Sequence, residues 1–212
     1  MISFIVPAYN EELELSSTIA AIRAAASGVT QPYEIIVVDD ASADATARIA
    51  VMAGARVISI NRRQIAASRN AGARAARGEY FYVGGSARVV TNGFIPLWSR
   101  IFVRAFCTIY FGLNLGAGAF LFTTRRNFDA IGGFDEQYFI GEEVYFSLAL
   151  RKLGRFKVLR EPILTSGRKL RMYSARQILG NVFGVIVGGR SVACSRAKLH
   201  LWYDGKREKR AA

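Results

Sequence analysis

Regular alternation of strand and helix patterns through the first eighty residues constrains the fold of this chain most. Ile2–Val6 and Tyr33–Val38 are short apolar runs, typical of strands buried on both faces of a sheet. Helical spacing of apolar residues follows each of them, over Glu12–Ala26 and Ala45–Ala53. The next elements in order are a strand over Arg56–Ile60, a helix over Gln64–Arg77 and a strand over Glu79–Val83. Such alternation with short links predicts βαβ units and a parallel sheet.

The regular alternation ends at Val83, and a mixed pattern follows the Gly84-Gly85 pair. The predicted elements are strands over Ala87–Val90, Gly118–Thr124 and Phe156–Leu159, and helices over Leu97–Phe111, Arg125–Ile131, Glu142–Leu153 and Ser174–Val187. No repeat or linker-like composition divides the chain. We therefore expect one domain over 1–212, with a regular half (1–83), a mixed half (84–203) and a basic tail (204–212).

Charge is distributed unevenly between these halves. The formal net charge is +13, but residues 1–60 carry three Lys or Arg against seven Asp or Glu, so the excess of positive charge lies after them. A basic second half is typical of a chain with an anionic partner, such as phosphate or an anionic membrane surface, and a solvated basic face is the alternative. Nucleic acid is not expected as a partner, because no recognised nucleic-acid-binding motif accompanies the charge.

Localisation is inferred from the apolar stretches and the cysteines. The short run Ile2–Val6 does not have the pattern of a secretory signal, and Cys107 and Cys194 suggest neither a disulfide framework nor a zinc site, so we expect a cytoplasmic protein. Ile101–Phe122 is interrupted by a charge and glycines and is expected to be buried core. Ile178–Gly189 precedes the basic tail and could lie on the inner face of a membrane as a peripheral contact.

Polar residues follow the first three predicted strands, at the edge where ligands bind to parallel sheets. Pro7–Glu11 follows the first strand, Asp39 and Asp40 the second, and Arg62–Asn70 the third. Adjacent carboxylates repel each other, so we expect donors nearby, either on a base or ribose or at the start of the next helix, which Asp40 or Ser42 could cap. No G-x-G-x-x-G or G-x-x-x-x-G-K-[ST] occurs, so neither a dinucleotide-binding motif nor a P-loop is predicted.

Six motifs, in order along residues 2–170, resemble those of family 2 glycosyltransferases. They are Phe4–Glu12, Ile36–Thr46, Ala67–Gly72, Gly116–Phe122, Gly132–Glu136 and Gly141–Glu143. The resemblance implies a GT-A fold, which is a Rossmann-related, mostly parallel sheet flanked by helices, here with a mixed C-terminal half. It also implies a nucleotide-diphosphate-sugar donor, a sugar or lipid acceptor of unknown identity, a nucleotide-binding role for 1–83 and an acceptor-side role for 84–203.

The same resemblance assigns roles to individual residues. The nucleotide site would comprise Pro7, Ala8, Tyr9, Glu11, Arg69 and either Asp39 or Asp40. The sugar and acceptor would be bordered by Gly132, Gly133, Phe134 and Asp135.

Glu142 and Glu143 would supply the catalytic base, with Glu143 at the usual position. An inverting transfer needs a carboxylate that deprotonates the acceptor hydroxyl as it attacks the anomeric carbon. Both residues also suit the first turn of a helix, where the helix dipole favours negative charge.

A metal-binding motif expected from the resemblance is absent. In this family the fourth strand ends in an Asp-x-Asp that holds Mg²⁺ or Mn²⁺, but here Tyr80–Val83 continues directly into Gly84-Gly85. The sequence therefore predicts no metal ligand at this place, as if a segment were excised. A direct link is too short for a parallel crossover, so Glu79–Val83 and Ala87–Val90 are expected to form a hairpin or one irregular strand.

Two further departures concern the second half. Tyr145 stands where relatives often have an aspartate, and the segment that includes Arg168, Lys169 and Arg171 stands where some relatives carry a histidine. These three cations could neutralise a diphosphate without metal, since guanidinium groups bind phosphate in a bidentate manner; a solvated loop is the alternative.

The sequence therefore predicts a glycosyltransferase, and the family resemblance implies an inverting one. Two alternatives remain at this stage. A catalytically impaired nucleotide-binding relative would explain the missing metal carboxylates. A nucleotidyltransferase would share the α/β layout, but this sequence lacks the Gly-rich phosphate loop near residue 10 that such enzymes carry, which weighs against it.

Overall fold

The predicted alternation of strands and helices is present in the computed structural model, which describes residues 1–78, 80–81 and 85–204. The N-terminal elements are β1 (Ile2–Ala8), α1 (Leu15–Ala26), β2 (Tyr33–Asp40), α2 (Thr46–Met52), β3 (Arg56–Ile60), α3 (Ile65–Ala75) and β4 (Tyr80–Phe81). The other positions of the predicted fourth strand, Glu79 and 82–83, lie outside the described residues, as do Gly84 and the tail 205–212.

Two compact units make up the chain, and each is discontinuous in sequence. The first unit contains Met1–Gly84 and Phe122–Glu136, and the second contains Gly85–Leu121 and Gln137–Ala212. The predicted halves thus share their boundary near residue 84 with these units. The segment Phe122–Glu136, predicted in the mixed half, belongs to the first unit.

The first unit is built on a five-stranded sheet in the order β3-β2-β1-β4-β6, where β6 is Thr123–Thr124. β1, β2, β3 and β4 are parallel, as predicted, and β6 pairs antiparallel with β4. β2 lies between β3 and β1, and its residues Ile36, Val37 and Val38 have no exposed surface, which explains their continuous apolar run. Helix α5 (Arg125–Ala130) follows β6.

The core of this unit forms where α1 and α2 pack against the sheet. Its largest buried side chains include Phe4, Leu15, Ile19 and Ile35. The apolar spacing of Leu15 and Ile19 places both on the buried face of α1, as the helical pattern predicts. This packing leaves the loops after β1, β2 and β3 at one edge of the sheet.

The second unit contains a two-stranded parallel sheet and most of the helices. Its elements are β5 (Ser86–Thr91), α4 (Leu97–Gly112), α6 (Glu142–Leu153), β7 (Val158–Thr165), α7 (Arg168–Met172), α8 (Ala175–Ala193), a 3-10 turn (Arg196–Leu199) and α9 (His200–Tyr203). β5 pairs with β7, with an irregularity between Ala87 and Val89. α8 begins with a capping box formed by Ser174 and Gln177 and has a kink at Gly189.

Several predicted elements of the second half differ from the structure. The strand expected over Gly118–Thr124 is limited to Thr123–Thr124, because the chain turns before it, where the amide of Phe120 donates to the carbonyl of Ala117 (3.2 Å). The strand expected over Phe156–Leu159 is Val158–Thr165, since its pairing with β5 continues as far as Thr165.

Two other expectations are wrong for reasons of pairing and burial. Ala87–Val90 forms neither a hairpin nor one strand with Tyr80–Phe81, the described part of the predicted fourth strand, because β4 and β5 belong to different sheets. The stretch Ile101–Phe122 is not buried core, because Ile101 and Ile109 are 63% and 67% exposed and only Ser99 of α4 is buried. Within the described residues, no helix combines the length and apolar character needed to cross a bilayer.

Close contact between α3 and the sheet depends on Gly72. A Cβ atom at this position would lie 2.4 Å from Cγ2 of Ile5 and 3.0 Å from Cγ2 of Val38, two residues of the central strands. Any larger side chain must therefore separate the helix from the sheet, which carries the loops that follow β2 and β3.

We expect Gly72→Ala to lower the free energy of unfolding by about 1–3 kcal/mol, as overpacking of a rigid core does. Gly180→Ala is the matched control, because Gly180 is also helical and an added Cβ there meets no atom within 4 Å. That control should gain roughly 0.5–1 kcal/mol from its higher helix propensity. Urea denaturation followed by far-UV circular dichroism measures both, and a Gly72→Ala variant as stable as the native chain would contradict the close packing.

Candidate functional site

Reciprocal hydrogen bonds join the loops that follow β1 and β2. The amide of Asn10 donates to Oγ of Ser42 (2.9 Å), and Oδ1 of Asn10 accepts from the amide of Ala43 (2.8 Å). The amide of Glu11 donates to Oγ1 of Thr46 (2.8 Å). The sequence suggested that Ser42 could cap α2. Instead, Ser42 accepts from Asn10 and holds the first loop against the second.

Asp44 continues this connection and directly precedes Ala45, the N-cap residue of α2. Its carboxylate accepts from the amide of Thr46 (2.9 Å) and from the amide of Glu12 (3.2 Å). Burial on its own would raise the pKa of Asp44, but these bonds and the one from the Thr46 hydroxyl outweigh it, so the pKa lies below its usual value. The carboxylate is thus kept charged, and it stabilises both loops.

Asp40 fixes the third loop, between β3 and α3. Its carboxylate accepts from three successive amides, those of Arg62 (2.7 Å), Arg63 (2.7 Å) and Gln64 (2.8 Å). It also accepts from Oγ of Ser68 (2.9 Å), one turn into α3. The side chain is 3% exposed, and four donors surround it. Asp40 therefore has a structural role that the pair of aspartates in the sequence did not reveal.

Asp39 differs from its neighbour, although it is similarly buried. It pairs in register with Ala8 of β1, at the carboxyl edge of the sheet, and is 7% exposed. Its Oδ1 has no hydrogen-bond partner among the described residues. A buried carboxylate oxygen without a donor is costly, so an unpaired one at a sheet edge indicates a place where a ligand can donate.

Left-handed backbone conformations occur in all three of these loops. Asn10 has a φ of 51°, Ala41 of 62° and Arg63 of 46°. Residues with a Cβ adopt this backbone region at a cost in free energy, and such conformations persist where surrounding interactions hold them. Here the hydrogen bonds to Asn10 and Asp40 do so. Strain of this kind concentrates at binding and catalytic sites.

The remaining predicted nucleotide residues lie near the same edge. Pro7 and Ala8 end β1, opposite Val38 and Asp39 of β2. The guanidinium group of Arg63 lies 5.1 Å from the centre of the Tyr9 ring. This contact brings together the loops after β1 and β3, which the sequence placed at one edge only by analogy with other parallel sheets.

Arg69, predicted for the nucleotide, and Phe134, predicted for the sugar and acceptor, are in contact. The Arg69 guanidinium lies 5.0 Å from the centre of the Phe134 ring, and both side chains are buried. Gly133, with a φ of 78°, approaches so closely that a Cβ would lie 2.8 Å from Oδ1 of Asn70. The loop of Gly132–Asp135 is therefore held against α3.

Asn70, Gln64 and Glu136 are residues of this arrangement that the site prediction missed. The Asn70 amide exchanges two hydrogen bonds with the Phe134 backbone and donates to Oε1 of Glu136 (each 2.9 Å). Nε2 of Gln64 donates to the backbone carbonyl of Glu136 (2.5 Å), and Arg62 pairs with its carboxylate (3.1 Å). Asn70 and Glu136 both lie inside quoted motifs, so a signal for them was present.

Glu142 and Glu143, in the second unit, occupy the first turn of α6. Glu142 is buried and Glu143 is half-buried. The helix follows Gly141, which has a φ of 77°. Both the helix-dipole role and the proposed catalytic role are compatible with this position, so the geometry of α6 alone does not choose between them.

Tyr110 is a further residue near these carboxylates that the sequence did not suggest. Burial raises its pKa strongly, and the charges of Glu143 and Glu142 add to the effect. Its hydroxyl stays protonated and donates to the carbonyl of Gly116 (2.9 Å). Tyr110 thereby fixes the motif that begins at Gly116 beside the start of α6.

Tyr145, which stands at the position where relatives often have an aspartate, packs on Tyr138. Their ring centres are 3.9 Å apart with an interplanar angle of 23°. A hydrogen bond with Tyr145 is the main cause of a raised pKa at Tyr138, with burial adding to it. Tyr145 therefore makes an aromatic contact at the position where the family resemblance led us to expect a carboxylate.

The three cations proposed for a diphosphate lie on α7 rather than in a loop. Nζ of Lys169 donates to the carbonyl of Leu201 (2.7 Å) and pairs with Asp204 (3.2 Å). Arg171 donates to the carbonyl of Asn92 (2.9 Å). Lys169 and Arg171 thus stabilise the second unit, and Arg168 begins the helix.

The described residues do not fit the divalent ion that the family resemblance implies. Within the described chain, no group of three or more His, Cys, Asp or Glu side chains comes together. A hard cation requires several oxygen ligands in fixed geometry. The expected Asp-x-Asp would follow Val83, where the sequence reads Gly84-Gly85-Ser86 and contains no carboxylate.

The family comparison matches the N-terminal part of the chain. Residues 3–84 match the glycosyl transferase family 2 model. Among curated proteins, an undecaprenyl-phosphate 4-deoxy-4-formamido-L-arabinose transferase of Serratia proteamaculans (strain 568) is 46% identical over 46 residues, which are 22% of this chain and 14% of that protein. A protein with the same description from Yersinia enterocolitica is 46% identical over 48 residues, or 15% of its length. These alignments span about one seventh of each relative.

Solved structures match over nearly the whole chain. A mannosyltransferase from Pyrobaculum calidifontis, in complex with GDP-Man and Mn²⁺, has a TM-score of 0.57 at 17% identity, over 96% of this chain and 69% of that one. Glucosyl-3-phosphoglycerate synthase of Mycobacterium tuberculosis, with Mn²⁺, UDP and glucosyl-3-phosphoglycerate, has a TM-score of 0.58 at 18% identity, over 97% and 79%. S. aureus TarS 1-349 with UDP-GlcNAc has a TM-score of 0.55 at 16% identity, over 94% and 69%.

The sequence match and the structural matches agree, and neither points to a nucleotidyltransferase. The first covers the strands and loops that carry Asp39, Asp40 and Arg69, and the second extends the likeness in fold through the second unit. Residues 3–84 are therefore similar to glycosyl transferase family 2, and the chain shares the GT-A fold of these solved structures.

Proposed function

We propose that the chain transfers a sugar from a nucleotide-diphosphate-sugar donor, with inversion, and that the nucleoside binds at the carboxyl edge of the first unit's sheet. The observation that carries this proposal is Asp39, a buried carboxylate whose Oδ1 has no partner among the described residues. A base or ribose supplies the donor that this oxygen needs. Tyr9 and Arg63, already in contact with each other, adjoin the same edge.

Relatives support this choice of ligand. The solved structures with similar folds contain GDP-Man, UDP or UDP-GlcNAc. We therefore expect a pyrimidine or guanine nucleotide. Pro7, Ala8 and Glu11 would line the pocket, while Asp40 would hold the loop of Arg62–Gln64 in place beside it.

For the transfer step, we assign Glu143 as the base, with Glu142 next to it. The acceptor hydroxyl would lose its proton to the Glu143 carboxylate as its oxygen forms a bond to the anomeric carbon. The bond from that carbon to the diphosphate oxygen breaks on the opposite face, and the nucleoside diphosphate leaves with the electron pair. Gly132–Asp135 would border the sugar, and Arg168 could add positive charge near the diphosphate.

The proposed acceptor of the sugar rests on the curated relatives, and the proposed contact with a membrane rests on exposed apolar side chains of α8. The curated relatives are named as transferases that act with undecaprenyl phosphate, so a lipid acceptor joins a sugar acceptor as a candidate. Phe183, Ile186 and Val187 on α8 are all at least two-thirds exposed. Peripheral contact with a membrane would cover them.

A second candidate function is nucleotide binding without efficient transfer. It is favoured by the absence of an Asp-x-Asp after Val83 and by the lack of a fitting carboxylate group among the described residues. In either function the nucleotide would bind through the first unit. The two candidates differ only in turnover.

We expect Asp39→Ala to weaken binding of UDP or GDP by at least tenfold, or about 1.4 kcal/mol, because the donor on the nucleotide would lose its acceptor. The fold should be preserved, since Asp39 Oδ1 makes no bond that the substitution would break. Isothermal titration calorimetry with both nucleotides measures the change.

Asp40→Ala is the matched comparison for Asp39→Ala. Removal of a carboxylate with four donors should lower the free energy of unfolding by about 2 kcal/mol or more. Unchanged nucleotide affinity in Asp39→Ala would remove Asp39 from the pocket, and no affinity of the native chain for UDP or GDP would overturn the proposed function itself.

We expect Glu143→Gln to lower transfer by about 10²–10⁴-fold, the usual contribution of a general base, with little change in nucleotide affinity. Release of UDP or GDP from UDP-glucose, UDP-GlcNAc and GDP-mannose measures turnover. Glu161→Gln is the control, because Glu161 is an exposed carboxylate of the same unit. Equal turnover of Glu143→Gln and the native chain would exclude Glu143, and no turnover of the native chain would favour the second candidate.

We expect Mn²⁺ to change the affinity for UDP little, because a divalent ion would find few fixed protein oxygens beside the nucleotide's phosphates. Any transfer should then persist in EDTA and fall in Arg168→Ala, since electrostatic stabilisation of the leaving group would come from cations of the chain. Calorimetry with and without Mn²⁺ measures the affinity. Strong turnover that EDTA abolishes would show that a metal ligand lies elsewhere in the chain.

A further inference from the structure

A cavity in the second unit lies apart from the residues assigned above. Its lining comes from β5, the loop that follows it, α4 and β7, and its volume is about 850 Å³. That volume falls within the range of about 300–1,000 Å³ that is usual for small-molecule sites. All of its lining residues belong to the second unit, and none belongs to the six family motifs.

Four arginines line this cavity: Arg88, Arg100, Arg104 and Arg160. No aspartate or glutamate is among the lining residues. Within the described chain, none of the four guanidinium groups takes part in a hydrogen bond or ion pair. Each lies on the exposed side of the unit. Four unpaired cations at one cavity repel each other, so an anion bound there would be strongly favoured.

The local structure explains why these arginines converge. Arg100 and Arg104 are four residues apart on α4 and therefore share one face of the helix. Arg88 lies at the irregularity of the β5–β7 pair, where it alone stands opposite three residues, Arg160 to Pro162. Bulges of this kind redirect side chains. The pairing brings together two arginines that are 72 positions apart in sequence.

Apolar side chains form the rest of the cavity wall. Val89 and Val103 come from the strand and the helix, and Phe111 lies one to two turns beyond Arg104. Phe94, in the loop after β5, is 83% exposed, although it lines the cavity. Covering such a wall with a hydrocarbon removes apolar surface from water, which favours binding. The cavity therefore presents cations and an apolar surface side by side.

We propose that this cavity binds a phosphate-headed lipid, with the phosphate on the arginines and the hydrocarbon chain along the apolar wall. Arginine suits this head group, because its planar guanidinium binds phosphate oxygens in a bidentate manner. A free phosphate would leave the apolar wall in water. A nucleic acid would need a continuous track for successive phosphates, whereas these arginines surround one cavity.

Binding at this site is independent of the proposed transfer. It requires neither a nucleotide nor turnover, so it can be measured on the chain alone. Failure of nucleotide binding would overturn the proposed function and leave the lipid site intact. Failure of lipid binding would overturn the lipid site and leave the proposed function intact.

Farnesyl phosphate, titrated in the absence of nucleotide, tests the proposal. We expect it to bind to the native chain, and Arg100→Ala/Arg104→Ala to weaken this binding by at least about tenfold, through loss of charge-assisted hydrogen bonds. Arg48→Ala/Arg126→Ala is the control, because both residues are exposed arginines of the first unit and the loss of charge is the same. The control should bind as the native chain does.

Two further ligands separate the contributions of the head and the tail. Farnesol lacks the phosphate, and inorganic phosphate lacks the chain, so each should bind at least about tenfold more weakly than farnesyl phosphate. Inorganic phosphate that binds as tightly as farnesyl phosphate would overturn the lipid assignment. Equal binding by both arginine double variants would overturn the site.

Cys107 gives an independent test of location, because it lines the cavity. In a Cys194→Ser variant it is the single thiol of the chain. Burial raises the pKa of the Cys107 thiol, so its reaction with a maleimide is followed in mildly alkaline buffer. Saturating farnesyl phosphate should slow this reaction at least about tenfold. An unchanged rate under saturating ligand would show that the lipid binds elsewhere and would contradict the proposal.

Discussion

The Asp40 carboxylate is the constraint on which the architecture of the first unit's functional edge depends. It accepts three successive backbone amides of the β3–α3 loop and the Ser68 hydroxyl. With that loop fixed, Gln64 and Asn70 are positioned to hold the backbone of Phe134 and Glu136. One buried anion thereby organises residues nearly a hundred positions apart, because charge-assisted hydrogen bonds are strong and directional.

Two adjacent aspartates on one strand have different tasks because β2 alternates its side chains between faces. Asp40 is saturated by donors of the chain, and Asp39 retains an oxygen without a partner among the described residues. The nucleotide site proposed above needs both conditions: a rigid edge and a hydrogen-bond acceptor left for a ligand. The left-handed residues Asn10, Ala41 and Arg63 belong to the same rigid edge, where strain is held by surrounding bonds.

Local patterns predicted the first unit well and the second unit less well. The continuous apolar run of Ile36–Val38 specifies a doubly covered strand by itself, and the parallel order followed from short helical links. In the second unit, β7 is longer than predicted because its pairing with β5 determines its end, and such pairing joins residues distant in sequence. Helix α4 was predicted, but its exposure was not, because an apolar run does not reveal whether another element covers it.

The candidate site shows the same division. The motifs predicted site roles for Asp39, Arg69 and Glu143, and these stay predictions. The motifs could not reveal that Asp40 is structural, since that depends on where the β3–α3 loop lies.

Non-local pairing also gives a physical explanation for the basic character of the second half. Arg88 and Arg160 are unremarkable as separate positions in the sequence. The β5–β7 irregularity places them at one cavity with Arg100 and Arg104, beside apolar side chains. The lining of this cavity contains no aspartate or glutamate. A solvated basic face would spread such charges apart to limit their repulsion. Their convergence on an apolar wall instead favours a ligand that has an anionic head and a hydrocarbon chain.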